Sequence, residues 1–386
     1  MYRITGIPHG YAWGSRSAIQ AFLGLPEDGK PLAEVWYGAH PSAPALVQLP
    51  ADGSVPLDAF IAQDREGTLG PTLAESPGGA LPFLLKLLAP GSPVSLQVHP
   101  TLENGRRGFA REEALGIPLD SPLRSFKDAN HKPEMVYALT AFEGLVGFRP
   151  ASAVREALTP FRSSPMRALQ EAASESGNGP DEVRRTFEAA LALSPAQVDE
   201  VVEEAEDLAS ASPAGPSNAY ATVLELARSF PSDPGVVASM LLHRVVLQPG
   251  DAVFVGDGVP HAYLSGLCAE IMANSDNVLR AGLTGKHIDV AALLENADFS
   301  RTEPHILRGS ADSGAVTRVS PPVAEFVLTR VAGSAEPVTL ASAGPRIALT
   351  VQGRVSLEGR AGGTLDLQQG QAAFVPASAG ALTVTG

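Results

Sequence analysis

The chain has 386 residues, of which 44% are hydrophobic, and its formal net charge is −14. This length accommodates two or three domains with a large buried core, and the acidic balance argues against non-specific binding to nucleic acid or anionic membranes. The single cysteine, Cys268, excludes an internal disulfide framework and a cluster of thiolate zinc ligands. No apolar run reaches the roughly 18 residues of a membrane span. Residues 1–4 lack the pattern of a secretory signal, so we expect a cytoplasmic protein.

Residues 81–88 and 95–100 are predicted to form two strands joined by a turn that contains proline and glycine. The first strand is apolar except for Lys86. A lysine inside such a run must extend to solvent or find an anion.

The second strand, Ser95-Leu96-Gln97-Val98-His99-Pro100, alternates polar and apolar residues. Because side chains two apart on a strand point to the same face, the polar residues share one side and the apolar residues the other. The polar side either faces water or lines a cavity in which Gln97 and His99 hold a metal. Both interpretations are open at this point.

Residues 101–128 show no clear periodicity and are predicted to form a loop with one short helix. Just after this loop, Pro133 biases Lys132 towards extended geometry, so Lys132 and Glu134 should share a face. His131 should then point away from Glu134. A surface ion pair and a carboxylate positioned for chemistry are both compatible with this pattern.

Residues 152–242 are predicted to be helical. Ser194, Pro195 and Gln197 form the sequence of an N-cap, a proline at the first helical position and a capping-box partner. Another helix is expected at residues 181–193, after a turn at residues 177–180. We expect this region to be an insertion without chemistry of its own.

Strands are expected again from residue 243, where residues 247–255 lead to His261. Residues 367–375 repeat that stretch without gaps, from the leucine to the Phe-Val pair. Repetition of one turn-plus-strand unit predicts two copies of one barrel-like domain. No histidine follows the second stretch, so the second copy is expected to be structural and without a metal site.

Four candidate metal ligands stand on predicted strands or strand ends: Gln97, His99, Glu134 and His261. Two imidazoles, one carboxylate and one amide oxygen suit a divalent ion of intermediate softness, with zinc first. A single carboxylate would leave the site net positive, which suits polarisation of a substrate oxygen.

Four strings in this order closely resemble motifs of the type I mannose-6-phosphate isomerase family. They are Ser95-Leu96-Gln97-Val98-His99-Pro100, Asn130-His131-Lys132-Pro133-Glu134-Met135, Gly258-Val259-Pro260-His261-Ala262-Tyr263 and Asn274-Ser275-Asp276-Asn277-Val278-Leu279-Arg280-Ala281-Gly282-Leu283-Thr284. The resemblance implies a mainly β cupin, with jelly-roll (double-stranded β-helix) domains and an α-helical domain, that binds one zinc ion per chain. Residues 1–150 and 243–298 would form a discontinuous catalytic cupin domain, residues 151–242 the helical insertion, and residues 299–386 a C-terminal cupin-like domain without a metal site.

Carried over residue by residue, the resemblance implies a catalytic role for Arg280. The zinc ligands would be Gln97, His99, Glu134 and His261, and the phosphate end of the substrate would lie at Lys86, Ser95 and Lys286. Basic side chains there would form a local positive pocket in an acidic protein. The chain departs from its relatives at Thr101-Leu102-Glu103, where they often carry Asp and a basic residue, and at Gly285, which replaces a common proline.

The implied reaction interconverts mannose 6-phosphate and fructose 6-phosphate by proton transfer through an enediolate. Arg280 stays protonated, so it stabilises a developing oxyanion better than it takes a proton. Lys132 could serve as the base if zinc and burial favour its neutral form, with His131 and Asp276 as rivals. The expected partner is a small sugar phosphate, with no nucleic acid or membrane, and the chain is expected to act as a monomer.

Two other classes of function stay open at the level of sequence. A metal-dependent cupin oxygenase would use two histidines and a carboxylate around iron, and the fourth ligand Gln97 counts against it. A non-catalytic sugar-phosphate-binding cupin is the other, although a silent copy need not keep Arg280, Lys132 and all four ligands.

Overall fold

The structure is a computed structural model that describes residues 1–49, 53–76, 78–174, 179–213, 215, 218–300, 303–334, 336–341, 344–360 and 362–386. These residues combine helices with β-sheets, and the strands pair antiparallel. Within the described residues, no helix has both the length and the apolar character needed to cross a membrane.

The helices, in chain order, are α1 (Ala18–Leu23), α2 (Leu57–Gln63), α3 (Arg65–Leu69), α4 (Pro71–Ala74), α5 (Leu102–Ala114), α6 (Ala151–Leu158), α7 (Ser164–Ser174), α8 (Gly179–Leu191), α9 (Pro195–Ala211), α10 (Ala219–Ser229), α11 (Pro234–Ala238) and α12 (Val290–Asn296). Short 3₁₀ turns occupy Ser239–Leu241 and Ala377–Ala379.

The strands of the first half are β1 (Tyr2–Thr5), β2 (Ile7–His9), β3 (Glu34–Gly38), β4 (Leu46–Gln48), β5 (Ser54–Pro56), β6 (Phe83–Leu88), β7 (Leu96–Val98), β8 (Glu134–Ala138) and β9 (Phe142–Phe148). Those after the long helical stretch are β10 (Leu242–Leu247), β11 (Ala252–Val255), β12 (His261–Ser265), β13 (Cys268–Ala273), β14 (Leu279–Gly282), β15 (His305–Leu307), β16 (Ser310–Ser313), β17 (Val316–Val319), β18 (Leu328–Val331), β19 (Val338–Leu340), β20 (Arg346–Leu349), β21 (Arg354–Gly359), β22 (Thr364–Gln368), β23 (Ala372–Val375) and β24 (Leu382–Thr385).

The strands assemble into four larger sheets and a three-stranded one. Sheet I has the order β15-β11-β8-β13-β6-β3-β2, and sheet II has the order β10-β9-β12-β7-β14. Sheet III has the order β20-β23-β1-β4-β5, sheet IV the order β19-β24-β21-β22, and β16-β17-β18 form the small sheet. The N-terminal strand β1 therefore pairs with β23, close to the other end of the chain.

Apolar side chains fix how the sheets stack. Sheets I and II share a core around Val136, Phe142 and Val255, and the outer face of sheet II packs against the helices α6–α11. The opposite face of sheet I packs against sheet III, whose other face packs against sheet IV. The layers thus run from helices through sheets II, I and III to sheet IV, and the polar strand β7 lies in the layer next to the helices.

The helical stretch follows local sequence signals. Helix α9 begins at Pro195, as predicted, and the Ser194 N–H donates to Gln197 Oε1 at 2.9 Å. Helix α8 begins at Gly179, so the predicted turn is wrong at its last two residues; residues 177 and 178 lie outside the described part of the chain. In residues 101–128 the helix is longer than expected, because α5 spans 13 residues from a cap at Thr101.

Candidate metal centre and active site

Strand β7 shows the predicted alternation. Leu96 and Val98 are buried in the core that faces the helices, and each contributes about 1.5–3 kcal/mol through burial. Gln97 lies opposite His261 on the neighbouring strand, and the fully buried His99 contacts Glu134 of sheet I. The polar side of β7 therefore faces the space between the two sheets, which favours the cavity interpretation over the water-facing one.

Three of the four predicted metal ligands meet in a buried cluster. One ligand atom from each of His99, Glu134 and His261 lies within 4.8 Å of the others, and all three residues are buried. His99 Nε2 is 3.3 Å from Glu134 Oε1, and His261 Nε2 is 3.5 Å from Glu134 Oε2. Strands that are far apart in sequence thus bring two imidazoles and a carboxylate together.

Backbone carbonyls determine which imidazole nitrogen faces this cluster. His99 Nδ1 donates to the Asn277 carbonyl at 2.7 Å, and His261 Nδ1 donates to the Val259 carbonyl at 3.0 Å. Since a carbonyl only accepts, each Nδ1 carries the hydrogen and each Nε2 points a lone pair at Glu134. Within the described part of the chain, no donor forms a hydrogen bond to the buried His99 Nε2. Lone pairs that converge on a carboxylate in this way suit a cation between them.

Gln97, the fourth predicted ligand, lies beside the cluster with its side-chain amide. The amide nitrogen is 3.2 Å from His261 Nε2, while Oε1 accepts from the Ser95 hydroxyl at 3.2 Å. Rotation of the amide by half a turn exchanges oxygen and nitrogen at almost no steric cost, which would turn the oxygen towards the cluster. Ligand atoms on a tetrahedral zinc with bonds near 2.0–2.1 Å are about 3.3 Å apart. The separations in this cluster fit that ion.

Electrostatics keep the ligands in metal-binding form. Burial, with the charge of Lys132 second, lowers the pKa of His99 to about 4, so its imidazole is neutral near pH 7. Burial alone would raise the pKa of Glu134, but the charge of Lys132 holds it well below its usual range. Lys132 Nζ is 2.9 Å from Glu134 Oε1, and the Tyr263 hydroxyl donates to Glu134 Oε2 at 3.1 Å. Glu134 is therefore an anion at neutral pH.

The buried Lys86 is paired with carboxylates of the protein. Its Nζ is 2.9 Å from Glu270 Oε2 and 3.9 Å from Glu34 Oε1, and it lies 5.1 Å from the centre of the Trp36 ring. Burial would lower the pKa of Lys86, but the carboxylates outweigh it and raise the pKa. The charge of Lys86 is thus already matched within the protein.

Arg280 and Lys286 carry less compensated charge. Arg280 lies opposite Gln97 on the adjacent strand β14, and burial lowers its pKa. Burial lowers the pKa of Lys286 too, and the charge of Arg280 lowers it further. Among the described residues, neither side chain has an ion-pair partner within 4.0 Å. Two cations with little compensation of this kind are suited to binding an anion.

His131 and Asp276, the other two candidate bases, lie at two different places. His131 points away from Glu134, as expected, and its ring lies between Asp257 and Glu325. The Asp276 carboxylate is half-exposed at 3.6 Å from His40 Nε2. Of the three candidate bases, Lys132 alone contacts the ligand cluster among the described contacts.

Sequence reasoning missed the side chains that support the ligands. Asn277 is fully buried; its Oδ1 accepts from the Lys127 N–H at 2.7 Å, and its Nδ2 donates to the Asp128 and Asn130 carbonyls, each at 2.8 Å. It thereby joins the loop before Lys132 to the carbonyl that orients His99. Asn277 stands inside a string that resembles the family, but only its neighbours in space reveal this role.

The comparisons with known proteins agree with one another. A family model for phosphomannose isomerase type I, catalytic domain, matches residues 1–151. The chain is 35% identical over 388 residues to mannose-6-phosphate isomerase of Escherichia coli (strain K12), covering 100% of this chain and 97% of that protein. It is 32% identical over 400 residues to the human protein of the same name, covering 95% and 91% of the two chains.

Solved structures give the same result. The crystal structure of a mutant phosphomannose isomerase from Salmonella typhimurium matches with a TM-score of 0.91 at 31% identity, covering 100% of this chain and 97% of that chain. A zinc-bound mannose 6-phosphate isomerase matches with a TM-score of 0.89 at 31% identity, covering 100% and 96% of the two chains.

Proposed function

The chain belongs to the type I phosphomannose isomerase family and is an isomerase of that class, and we propose that it interconverts mannose 6-phosphate and fructose 6-phosphate in a zinc-dependent reaction. The observation that carries the zinc dependence is the convergence of two imidazole lone pairs on the Glu134 carboxylate. We further propose one zinc per chain, a monomer, and action in the cytoplasm.

The finer architecture is part of this proposal. Sheets I and II would form a catalytic jelly-roll of the cupin type from residues 1–150 and 243–298, interrupted by the helical insertion at residues 151–242. Sheets III and IV would form a second, cupin-like domain from residues 299–386 without a metal site. The pairing of β1, β4 and β5 into sheet III means that part of the N-terminal segment completes this second domain.

Gln97, His99, Glu134 and His261 would hold the zinc. A bound zinc ion would supply Lewis acidity, which would stabilise negative charge on a sugar oxygen. The residues around it supply the rest of the chemistry.

The substrate phosphate has two available cations. Among the described residues, neither Lys286 nor Arg280 has a carboxylate within ion-pair distance, although the charge of Glu34 acts to raise the pKa of Lys286. Lys86, by contrast, is paired with Glu270 and Glu34. We therefore assign the phosphate to Lys286 and Ser95, with Lys86 as a more distant contributor. Arg280, which lies opposite Gln97 and hence beside the cluster, would stabilise the enediolate oxygen as charge develops.

The proton transfer between C1 and C2 needs a base beside the cluster. Lys132 lies beside the cluster, with its Nζ 2.9 Å from Glu134, but as an ammonium paired with that carboxylate it would have to give up its proton before it could accept one. His131 does not fit, since two carboxylates hold its ring as an imidazolium, which has no lone pair to accept a proton. Asp276 lies on the half-exposed rim and would need the substrate to reach it.

Turnover of mannose 6-phosphate, coupled to detection of fructose 6-phosphate, tests the proposal. Activity should vanish after chelation and return when zinc is restored, with magnesium as the matched control that does not restore it, because Mg²⁺ prefers octahedral oxygen ligands. Zinc-loaded protein without turnover would contradict the isomerase assignment and favour a binding module on the same scaffold.

A further inference from the structure

The His131 ring is held between carboxylates from two distant parts of the chain. Its Nε2 is 2.7 Å from Glu325 Oε1, and its Nδ1 is 3.4 Å from Asp257 Oδ2. Asp257 lies in the turn between β11 and β12, and Glu325 lies just before β18. Three segments of the molecule therefore meet at one imidazole.

This arrangement determines the charge of the ring. Two acceptor oxygens can both be satisfied only by an imidazolium, which donates from each nitrogen. Hydrogen bonds to Asp257, and then to Glu325, raise the pKa of His131 to about 9 although burial opposes them. Among the described residues, these two carboxylates are the charged groups that form ion pairs with the ring. His131 is thus a cation at neutral pH.

The segment that carries Glu325 is anchored in the apolar core. Phe326 is buried in the core beneath sheet I, where it shares an apolar cluster with Met135 and Phe254, and Val323 and Leu328 pack against the same cluster. The Glu325 side chain is 24% exposed, and its carboxylate reaches His131 from a segment that these apolar contacts anchor in the core.

His131, the other partner of this ion pair, belongs to the motif that contains Lys132 and Glu134. His131 is adjacent to Lys132, whose Nζ contacts the metal-ligand carboxylate of Glu134 at 2.9 Å. Any shift of His131 moves the backbone that aims Lys132. Displacements of about 1 Å in such a group can lower turnover by about 10²-fold.

We propose that Glu325 is a positioning residue of this isomerase, which fixes His131-Lys132-Pro133-Glu134 by a charged hydrogen bond to His131, so that the C-terminal region completes the active site. This inference rests on the proposed function. It assigns His131 to structure rather than to proton transfer, and it gives the region after residue 299 a part in catalysis.

The test is Glu325→Gln in the zinc-loaded enzyme, because glutamine keeps the size and removes the charge. Ring-proton NMR, assigned by comparison with His131→Gln, should show the pKa of His131 lowered by about one unit or more. Turnover, kcat, should fall about tenfold while KM changes by less than about twofold and zinc content stays the same. A merely structural contact would not move the His131 titration and kcat together.

Three results would overturn the inference in an active wild-type enzyme: an unchanged His131 titration, an unchanged kcat, or a kcat that rises at neutral pH. The last would assign the base to His131, because a lower pKa gives more neutral imidazole. Asp257→Asn removes the second carboxylate and should act in the same direction if Glu325→Gln does not fold. Glu358→Gln, at an exposed position of β21, is the matched control and should leave both readouts unchanged. A zinc-loaded wild type without turnover would instead mark the failure of the proposed function itself.

Discussion

Two regions of the molecule share one backbone plan and differ in chemistry. The catalytic unit, β7–β12, places its strands in the order β10-β9-β12-β7 in sheet II, with β8 beside β11 in sheet I. The tail unit, β19–β24, places them in the order β22-β21-β24-β19 in sheet IV, with β20 beside β23 in sheet III. Each strand of one unit thus has a counterpart twelve strands later. The main topological difference is the helical stretch between β9 and β10.

The repeated turn is the same in both units. In the catalytic unit the Gln248 N–H donates to Asp251 Oδ2 at 2.9 Å, and in the tail unit the Gln368 N–H donates to Gln371 Oε1 at 2.9 Å. In both turns the third residue is a glycine with positive φ. The short likeness seen in the sequence therefore marks the same corner, where the chain crosses from one sheet to the next.

The strand registers show what occupies the ligand positions in the tail. Val255 lies opposite Glu134, and its counterpart Val375 lies opposite Arg346. The same comparison applies to the other strands. The tail counterparts of Glu134, His261 and Gln97 are Arg346, Leu382 and Leu340. One backbone plan thus accepts a polar ligand set or an apolar and cationic one, so the metal site depends on a few side chains rather than on the fold.

The substitution with the largest expected effect on this difference is His261→Leu, which places in the catalytic unit the residue type found at the equivalent position of the tail. We expect zinc affinity to fall by more than about a hundredfold, beyond the usual effect of changing a residue that only supports a ligand, and turnover to disappear. The metal-free variant should unfold no more easily than wild type, since leucine suits a fully buried position. Zinc content, turnover and thermal unfolding measure these outcomes.

Leu382→Val in the tail is the control, and it should change neither zinc content nor turnover. A His261→Leu protein that kept zinc at wild-type affinity would remove His261 from the ligand set.

The tail has no lysine at the position that corresponds to Lys132, because the sequence has Gly344 two residues before Arg346, the counterpart of Glu134. Lys132→Met should lower kcat by about 10²–10⁴-fold, the usual contribution of a positioned proton-transfer group. Zinc content should stay unchanged, since all four ligands remain. Turnover assays measure kcat, and metal analysis measures the zinc content. Near-normal turnover would exclude Lys132 as the base.

The glycines of the two repeated turns allow the two units to be compared by the free energy of unfolding. Gly250 and Gly370 have φ of 98° and 79°, so alanine at either position costs about 1 kcal/mol in unfolding free energy. A Cβ at Gly370 would also come within 2.9 Å of Leu23 Cδ2, whereas at Gly250 the nearest atom is Tyr137 Oη at 3.8 Å. Urea unfolding should show Gly370→Ala to be the more destabilising, and equal effects would contradict the tighter packing of the tail turn.

The ion pairs of His131 join the catalytic unit to the segment before β18 and should make stability depend on pH. The folded pKa of about 9 lies above the ordinary value of 6.5, so the stabilisation is present below pH 6.5 and is lost as the pH rises through 9. Because the ring is only partly buried, the effect is the smallest of those expected here. Urea unfolding of wild type and His131→Gln should differ more at pH 6.5 than at pH 9.5; a constant difference would contradict it.

The sequence by itself determined the features that arise from local patterns. Strand period two places Gln97 and His99 together, the capping box begins α9 at Pro195, and the repeated turn locates the same corner twice. These signals are local because each rests on residues within one strand, one helix turn or one tight turn. The resemblance of four strings then nominated the ligand set, three members of which the structure brings together.

Only the tertiary structure decided the features that depend on distant neighbours. Helix α5 was underestimated because two glycines, Gly105 and Gly108, disfavour helix. Any Cβ there would come within 2.5 Å of the Asn130 carbonyl or the Phe126 ring, so close packing requires them.

The carboxylates around Lys86, the hydrogen bonds of Asn277 and the pairing of β1 with β23 come from segments far apart in the chain. The largest consequence is at His131, whose charge is set by Asp257 and by Glu325, which is 194 residues away. A sequence shows which residues can ionise, but only the folded chain places the partners that determine their charge.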